Sequence, residues 1–289
     1  MLKLAPGPAS KNLAESVAHF TQKPLLRLEH KLFPDGESYI RFEDSVKGED
    51  VVIIQGLHPP QDKHLTELLL MADLLKELGA SKVRAVIPYM AYARQDRRFR
   101  DGEAVSILTV LKMLKAAGVN EALTVNIHSP WVLENAPLKV VNLDATGLLA
   151  VSLTQLVGGR PLVLSPGKKG LEMASATASI LDAEYGVIES RRDTVTGEVA
   201  VEIGLDPSGR DVVLVDDVVS TGGTMAKCVE LVRRRGAGKV VVACIHGLFI
   251  GDAAEKIQRA GASMIVATDT IPNPYVFASV AGLISSHLT

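Results

Sequence analysis

The chain has 289 residues, enough for two domains of ordinary size at roughly 100–200 residues each. Apolar residues make up 47% and charged residues 22%, a globular composition that excludes wholesale disorder. With 31 basic against 33 acidic residues the net charge is −2, so no global positive field exists to hold nucleic acid or an anionic membrane surface, and any basic site must be local.

Short β-branched runs alternate with amphipathic stretches. Strands are predicted at 51–54, 83–87, 122–127, 162–164, 212–215, 239–245 and 263–267, where apolar residues run on without a helical period. Helices are predicted at 64–78, 105–117, 171–181, 224–235 and 253–260, with Gly79, Gly118, Gly236 and Gly261 as C-terminal stops. That rhythm implies parallel sheets with right-handed crossovers, an α/β protein. The alternation breaks near Pro137 to Asp144, and 184–203, which contains Thr194-Val-Thr-Gly-Glu198, reads as a hairpin or flap. The expected organisation is two similar doubly wound lobes, 1–142 and 143–289.

Cys228 and Cys244 are too few for a disulfide framework or a structural zinc site, and both lie in apolar segments that suit small buried thiols. The stretch Met1-Leu-Lys-Leu-Ala-Pro-Gly-Pro8 lacks the apolar h-region of a signal peptide, and no run approaches about 18 apolar residues. A soluble cytoplasmic protein is the expectation, with no membrane and no nucleic acid among its partners.

The most informative stretch is Asp211-Val-Val-Leu-Val-Asp-Asp-Val-Val-Ser-Thr-Gly-Gly-Thr224, followed by an amphipathic helix. In an open parallel sheet ligands bind where strands end and helices begin. Gly222 and Gly223 permit a tight, partly left-handed turn whose amides converge on one oxyanion, and Ser220, Thr221 and Thr224 add hydroxyl donors. The positive end of the helix starting near Thr224 favours a phosphate. Asp216 and Asp217, expected one loop away, can accept from vicinal sugar hydroxyls or hold a hydrated divalent ion. Phosphate beside diol describes a ribose 5-phosphate. The bland alternative is a capped helix after an ordinary turn.

The segment 212–224 resembles the 5-phosphoribosyl-1-diphosphate loop of the type I phosphoribosyltransferase fold. Phe33-Pro-Asp-Gly-Glu37, Ile87-Pro-Tyr-Met-Ala-Tyr-Ala-Arg-Gln-Asp-Arg97, Ile127-His128 and Asp269-Thr-Ile271 extend the resemblance over nearly the whole chain to the ribose-phosphate diphosphokinase family, with a length like its compact archaeal members. The resemblance implies an N-terminal ATP-binding lobe and a C-terminal ribose 5-phosphate lobe, joined in a homo-oligomer of at least two copies. The C1 hydroxyl of ribose 5-phosphate then attacks the β-phosphorus of ATP, giving 5-phosphoribosyl 1-diphosphate and AMP.

By the same resemblance Arg94, Gln95 and Asp96 meet ATP. Phe33, Asp35 and Glu37 recognise the adenine end from a neighbouring subunit, and His128 binds the Mg²⁺ that rides on ATP. The residues suit these roles: a phenyl ring stacks on a purine, a carboxylate accepts from an exocyclic amine, and a guanidinium forks onto phosphate oxygens. Each also has a structural alternative. Asp35-Gly36 can be a plain turn, Arg94, Arg97, Arg98 and Arg100 a solvated face, and an isolated histidine a structural group. Magnesium in particular prefers oxygen ligands.

Three positions depart from the family pattern. Asn126 replaces an acid two residues before the histidine, and Gly167 in Ser165-Pro-Gly-Lys-Lys-Gly170 replaces a metal-binding acid. Ser190-Arg191-Arg192 stands where the flap motif has its catalytic lysine. Either Lys168, Lys169 and the flap arginines Arg191 and Arg192 replace the missing charges, although arginine is no neutral exchange for lysine, or the chain binds these ligands as the regulatory subunit of an active paralogue. A base-specific phosphoribosyltransferase is the third reading, sharing the phosphate loop alone.

Overall fold

In a computed structural model that describes residues 1–192 and 199–288, the chain divides into two compact units. One comprises Met1–Asp144 with Val280–Thr289, the other Ala145–Ser279.

The first unit holds a parallel sheet of β1 (Leu2–Pro6), β4 (Asp50–Ile54), β5 (Lys82–Ile87), β6 (Glu121–Val125) and β7 (Lys139–Leu143), in that spatial order. A separate antiparallel ribbon is formed by β2 (Leu28–Leu32) and β3 (Ser38–Phe42). Helices cover both faces of the sheet. Val51, Ile53, Val83, Ala85 and Ile87 join one core with α2 (Gln61–Glu77) and α3 (Ser106–Ala116). The alternate residues Leu4, Val52, Ile54 and Val86 are equally buried and point the other way, the side on which α1 (Lys11–Thr21) packs against β1 and β4.

In the second unit α4 (Thr146–Leu153) precedes β8 (Leu162–Ser165), α5 (Leu171–Leu181), β9 (Glu184–Arg192) and β10 (Val199–Ile203). Then follow β11 (Val212–Val219), α6 (Gly223–Arg234), β12 (Val240–Gly247), α7 (Ala253–Arg259), β13 (Met264–Thr268) and β14 (Val276–Ala278). The sheet order is β10-β9-β8-β11-β12-β13-β14, parallel except for the β9–β10 pair. After β8 the chain builds outward through β9, then returns to lay β11 on the other side of β8. That reversal is a topological switch point, where open α/β sheets bind their ligands.

Three expectations need correction. The break near Pro137 to Asp144 is strand β7, paired in parallel with β6. The strand predicted at 212–215 continues to Val219, so Asp216 and Asp217 lie on the strand itself, with Asp216 opposite Cys244. The last ten residues belong with the first unit, where α8 (Ala281–Ser285) packs on α1. Val280, Ala281 and Ile284 are fully buried and Leu288 nearly so, one face of a helix at a four-residue repeat. The segment 184–203 pairs as the expected hairpin, while Thr194-Val-Thr-Gly-Glu198 lies outside the described residues. Among the described residues no helix is long and apolar enough to cross a membrane.

Candidate active site

The residues expected to meet the sugar phosphate gather at the switch point of the second unit. Strand β11 runs buried to Val215, carries Asp216 and Asp217 half-buried at its carboxyl end, and closes with Val218 and Val219. Each carboxylate turns back on the strand: Asp216 Oδ1 accepts the Asp217 amide at 3.0 Å and Asp217 Oδ1 accepts the Val218 amide at 2.8 Å. Ser220 is half-buried, and Thr221, Gly223 and Thr224 are exposed. Gly222 adopts φ 72°, and α6 starts directly after it without a side-chain cap. The amides of its first turn therefore lack internal acceptors, and the Ser220, Thr221 and Thr224 hydroxyls have no hydrogen-bond partner among the described residues. Five consecutive residues thus offer donors at the positive end of a twelve-residue helix, an arrangement suited to an oxyanion.

The loop after β8 borders this cradle because β8 and β11 are hydrogen-bonded neighbours. Ser165 Oγ donates to the Gly167 carbonyl at 2.8 Å, bending the chain so that Gly167 takes φ 148°, a value side-chain-bearing residues avoid. Lys168 and Lys169 follow, exposed, on a short 3-10 turn. Beneath the two aspartates lie the cysteines. Burial, then the negative charge of Asp216, pushes the Cys228 thiol up to about 12, and burial also raises that of Cys244. Both remain protonated thiols that fill space. Further along the sheet, His246 Nδ1 and Thr270 Oγ1 stand 2.9 Å apart, and the Thr268 and Thr270 hydroxyls both donate to the Ile245 carbonyl. The buried link ties the Asp269-Thr-Ile271 turn to β12. Arg191 and Arg192 lie on β9, opposite Ala200 and Val199.

In the first unit the sequence candidates fall into two places. Arg94, Gln95 and Asp96 follow β5 and His128 follows β6, at the carboxyl ends of adjacent strands. The arginine loop is held by one carboxylate: Glu103 Oε2 accepts the Phe99 amide at 2.8 Å, the Arg100 amide at 3.1 Å and Gln95 Nε2 at 3.2 Å. The Phe99 amide first, and the Arg100 amide next, hold its pKa below the usual carboxylate range. Arg94, Arg97, Arg98 and Arg100 form no ion pair with a described residue, which leaves four guanidinium groups for an external anion. Asn126 has φ 36°, and its side-chain amide donates to Asp144 Oδ1 at 2.8 Å, so it shapes the turn that carries His128.

Phe33, Asp35 and Glu37 stand apart from that loop, at the tip of the β2–β3 ribbon. The Phe33 amide donates to the Glu37 carbonyl at 2.8 Å and Asp35 Oδ1 accepts the Glu37 amide at 3.2 Å. Phe33 remains 43% exposed, with Tyr39 edge-on at 6.0 Å. Sequence reasoning passed over two anchoring carboxylates, Glu103 and the fully buried Glu67. Glu67 was detectable as a charged residue on the apolar face of α2, beside Leu68 and Met71. Glu103 gives no comparable signal.

Among the described residues no group of three or more His, Cys, Asp or Glu side chains is placed to hold a metal ion. A magnesium ion normally keeps several waters and is bound through one or two protein groups plus substrate phosphates.

Residues 2–118 match the N-terminal domain of ribose phosphate pyrophosphokinase and residues 142–276 match the phosphoribosyl transferase domain. The ribose-phosphate pyrophosphokinase of Sulfurisphaera tokodaii is 41% identical over 268 residues, 92% of either chain. That of Methanothermobacter thermautotrophicus is 41% identical over 277 residues, 96% of either chain. The crystal structure of phosphoribosylpyrophosphate synthetase from Mycobacterium smegmatis superposes with a TM-score of 0.89 at 29% identity, covering 99% of this chain and 97% of that one. Identity of this extent across both units means that the chain belongs to the ribose-phosphate pyrophosphokinase family.

Proposed function

We propose that the chain transfers the diphosphoryl group of ATP to the C1 hydroxyl of ribose 5-phosphate, releasing AMP. The observation that carries the reading is the uncapped Ser220–Thr224 cradle beside two strand-end carboxylates, at the point where the sheet of the second unit reverses direction. The cradle receives the 5-phosphate through amides and hydroxyls, and Asp216 and Asp217 accept from the ribose diol. The C1 oxygen forms a bond to the β-phosphorus, the bond from that phosphorus to the α,β-bridging oxygen breaks, and AMP departs with that oxygen while the hydroxyl proton is released.

Such transfers rest on alignment and charge neutralisation more than on covalent help. Arg94, with Gln95 and Asp96, receives the triphosphate, and Phe33, Asp35 and Glu37 receive the adenine. His128 would hold the Mg²⁺ that accompanies ATP, and that ion would supply neutralisation of phosphate charge. Arg191 and Arg192 on the flap supply the cations for the transferred group. Lys168 and Lys169 bring positive charge to the loop in which Gly167 offers no carboxylate. The exposed Phe33 tip supports an assembly of at least two copies in which the tip serves a neighbour. The free, buried cysteines suit work in a reducing cytoplasm.

A base-specific phosphoribosyltransferase is not favoured, because it accounts for the cradle but not for residues 2–118. The test is direct: ATP, ribose 5-phosphate and Mg²⁺ are mixed with the full chain, and AMP is measured together with the diphosphorylated sugar. Equal amounts of the two products are expected. Tight binding of both substrates with no AMP at high enzyme concentration would overturn the catalytic reading and leave a binding subunit.

A further inference from the structure

The β2–β3 ribbon carries the adenine candidates yet forms a sheet of only two strands, which has little stability of its own in water. Its outer pairs, Arg27 with Asp44 and Arg41 with Glu29, are largely exposed and add little. Near the tip the attachment is different. Glu67 of α2 is fully buried, and its Oε1 lies 2.8 Å from His30 Nε2 on β2 and 2.9 Å from Ser38 Oγ on β3. Its Oε2 accepts from Gln55 Nε2 at 3.3 Å, and Gln55 Oε1 in turn accepts the Ala9 amide at 2.9 Å. Lys63 Nζ, one turn earlier on α2, adds positive charge 3.7 Å away.

One carboxylate therefore grips both strands of the ribbon and ties them, through Gln55, to the carboxyl end of β4. Its grip is close to the tip, since Ser38 directly follows Glu37 and His30 precedes Phe33 by three residues. A carboxylate taken out of water must keep its partners, so the ribbon cannot swing away from α2 without costing Glu67 the two it has at 2.8 and 2.9 Å, His30 and Ser38.

We propose that Glu67 is a positioning residue for adenine recognition, setting where Phe33, Asp35 and Glu37 stand by fastening the ribbon to α2. The proposal rests on the reading of the ribbon tip as the adenine contact. In the full chain, Glu67→Gln is expected to raise the KM for ATP by about tenfold or more, the scale at which a displacement of about 1 Å is felt. The KM for ribose 5-phosphate stays within about twofold, because the cradle residues are untouched. Preference for ATP over GTP falls in parallel. Ser38→Ala, a milder change at the ribbon end of the same bond, shifts the ATP KM in the same direction, and combined with Glu67→Gln it adds little further.

Should Glu67→Gln fail to fold, Ser38→Ala and His30→Asn carry the test. Equal rises in both KM values, or an unchanged KM for ATP, would overturn the proposal. Phe33→Ala separates the two layers of the argument: if it raises the ATP KM while the anchor variants do not, the anchor role alone falls. If Phe33→Ala also leaves the ATP KM unchanged, the tip is not the adenine contact and both fall.

Discussion

A β-carbon on Gly222 would stand 2.7 Å from the carbonyl oxygen of Ala253. The first residue of α7 therefore presses on the turn that opens α6, and at φ 72° the turn is already in the region that side chains disfavour by about 1–2 kcal/mol. Gly222→Ala suffers both penalties, so the cradle must move to accept it. The adjacent Gly223 has nothing within 4 Å of its β-position, and as a helical residue it gains up to about 1 kcal/mol from alanine. Thermal unfolding is expected to show a lower midpoint for Gly222→Ala and an equal or higher one for Gly223→Ala. The KM for ribose 5-phosphate is expected to rise about tenfold or more in Gly222→Ala, since misplacement of the donors by an ångström is enough.

Glu103 offers a separate handle on the proposed nucleotide contact. It holds the Arg94–Arg100 loop by two backbone amides and the Gln95 side chain, so Glu103→Ala leaves the arginines in place but frees the backbone that aims them. The KM for ATP is expected to rise about five- to tenfold, a typical scale for loss of a charge-assisted hydrogen bond, while the KM for ribose 5-phosphate stays unchanged. Glu103→Gln retains an acceptor and gives a smaller effect. Steady-state kinetics on the three proteins decides it, and an unchanged KM for ATP in Glu103→Ala would show that the loop does not need its anchor.

Gly167 stands where the family resemblance leads one to expect an acid, and a single substitution does not restore it. Its φ of 148° belongs to glycine, and holding another residue there costs on the order of 1–3 kcal/mol. Gly167→Asp is therefore expected to lower the unfolding midpoint and to leave turnover no faster, even though it restores a carboxylate and has open space around it. Ser190→Lys meets no such obstacle on its extended strand and is expected to raise turnover where the flap cation limits the rate. A large gain from Gly167→Asp alone would show that the Ser165–Gly170 loop readily takes a second conformation.

The parts of the fold that were readable from sequence are those where one strong signal acts alone. Strand β12 is buried at every position, and its first six residues, Val240–Ile245, read as an unbroken apolar run. Helix α5 was placed at its observed limits, Leu171–Leu181, and the four glycines expected to end helices all have positive φ. Edge strand β7 went unseen because only Leu143 of its five residues is buried, so no continuous apolar run marks it. Helix α4 went unseen because Thr146–Leu153 is apolar nearly all round, and a short apolar run does not distinguish helix from strand. At the site, the cradle was legible because its residues are consecutive. The grip of Glu67 on the ribbon joins residues 37 and 29 positions apart, and the close approach of Ala253 to Gly222 is likewise long-range, which periodicity does not encode.

His58 and His64 make a pH-sensitive contact in the first unit, with ring centroids 4.8 Å apart at 63°. His64 Nδ1 donates to the His58 carbonyl at 2.7 Å, while His58 Nδ1 is buried with no hydrogen-bond partner. Burial first, and the neighbouring His64 second, lower the His58 pKa from 6.5 to about 4. Between those values the unfolded chain binds the proton and the folded chain does not, so the unfolded state gains as pH falls. The stability that depends on neutral His58 is whole above about pH 6.5 and is lost as pH falls toward about 4. A shift of that size corresponds to roughly 3 kcal/mol before screening, and to less here because part of the ring is open to solvent. His58→Asn keeps a neutral polar group that cannot take the proton. Urea unfolding at pH 7 and pH 4.5 is expected to show a smaller drop in midpoint for the variant than for the wild type. Equal drops would mean that carboxylates alone set the acid limit of the fold.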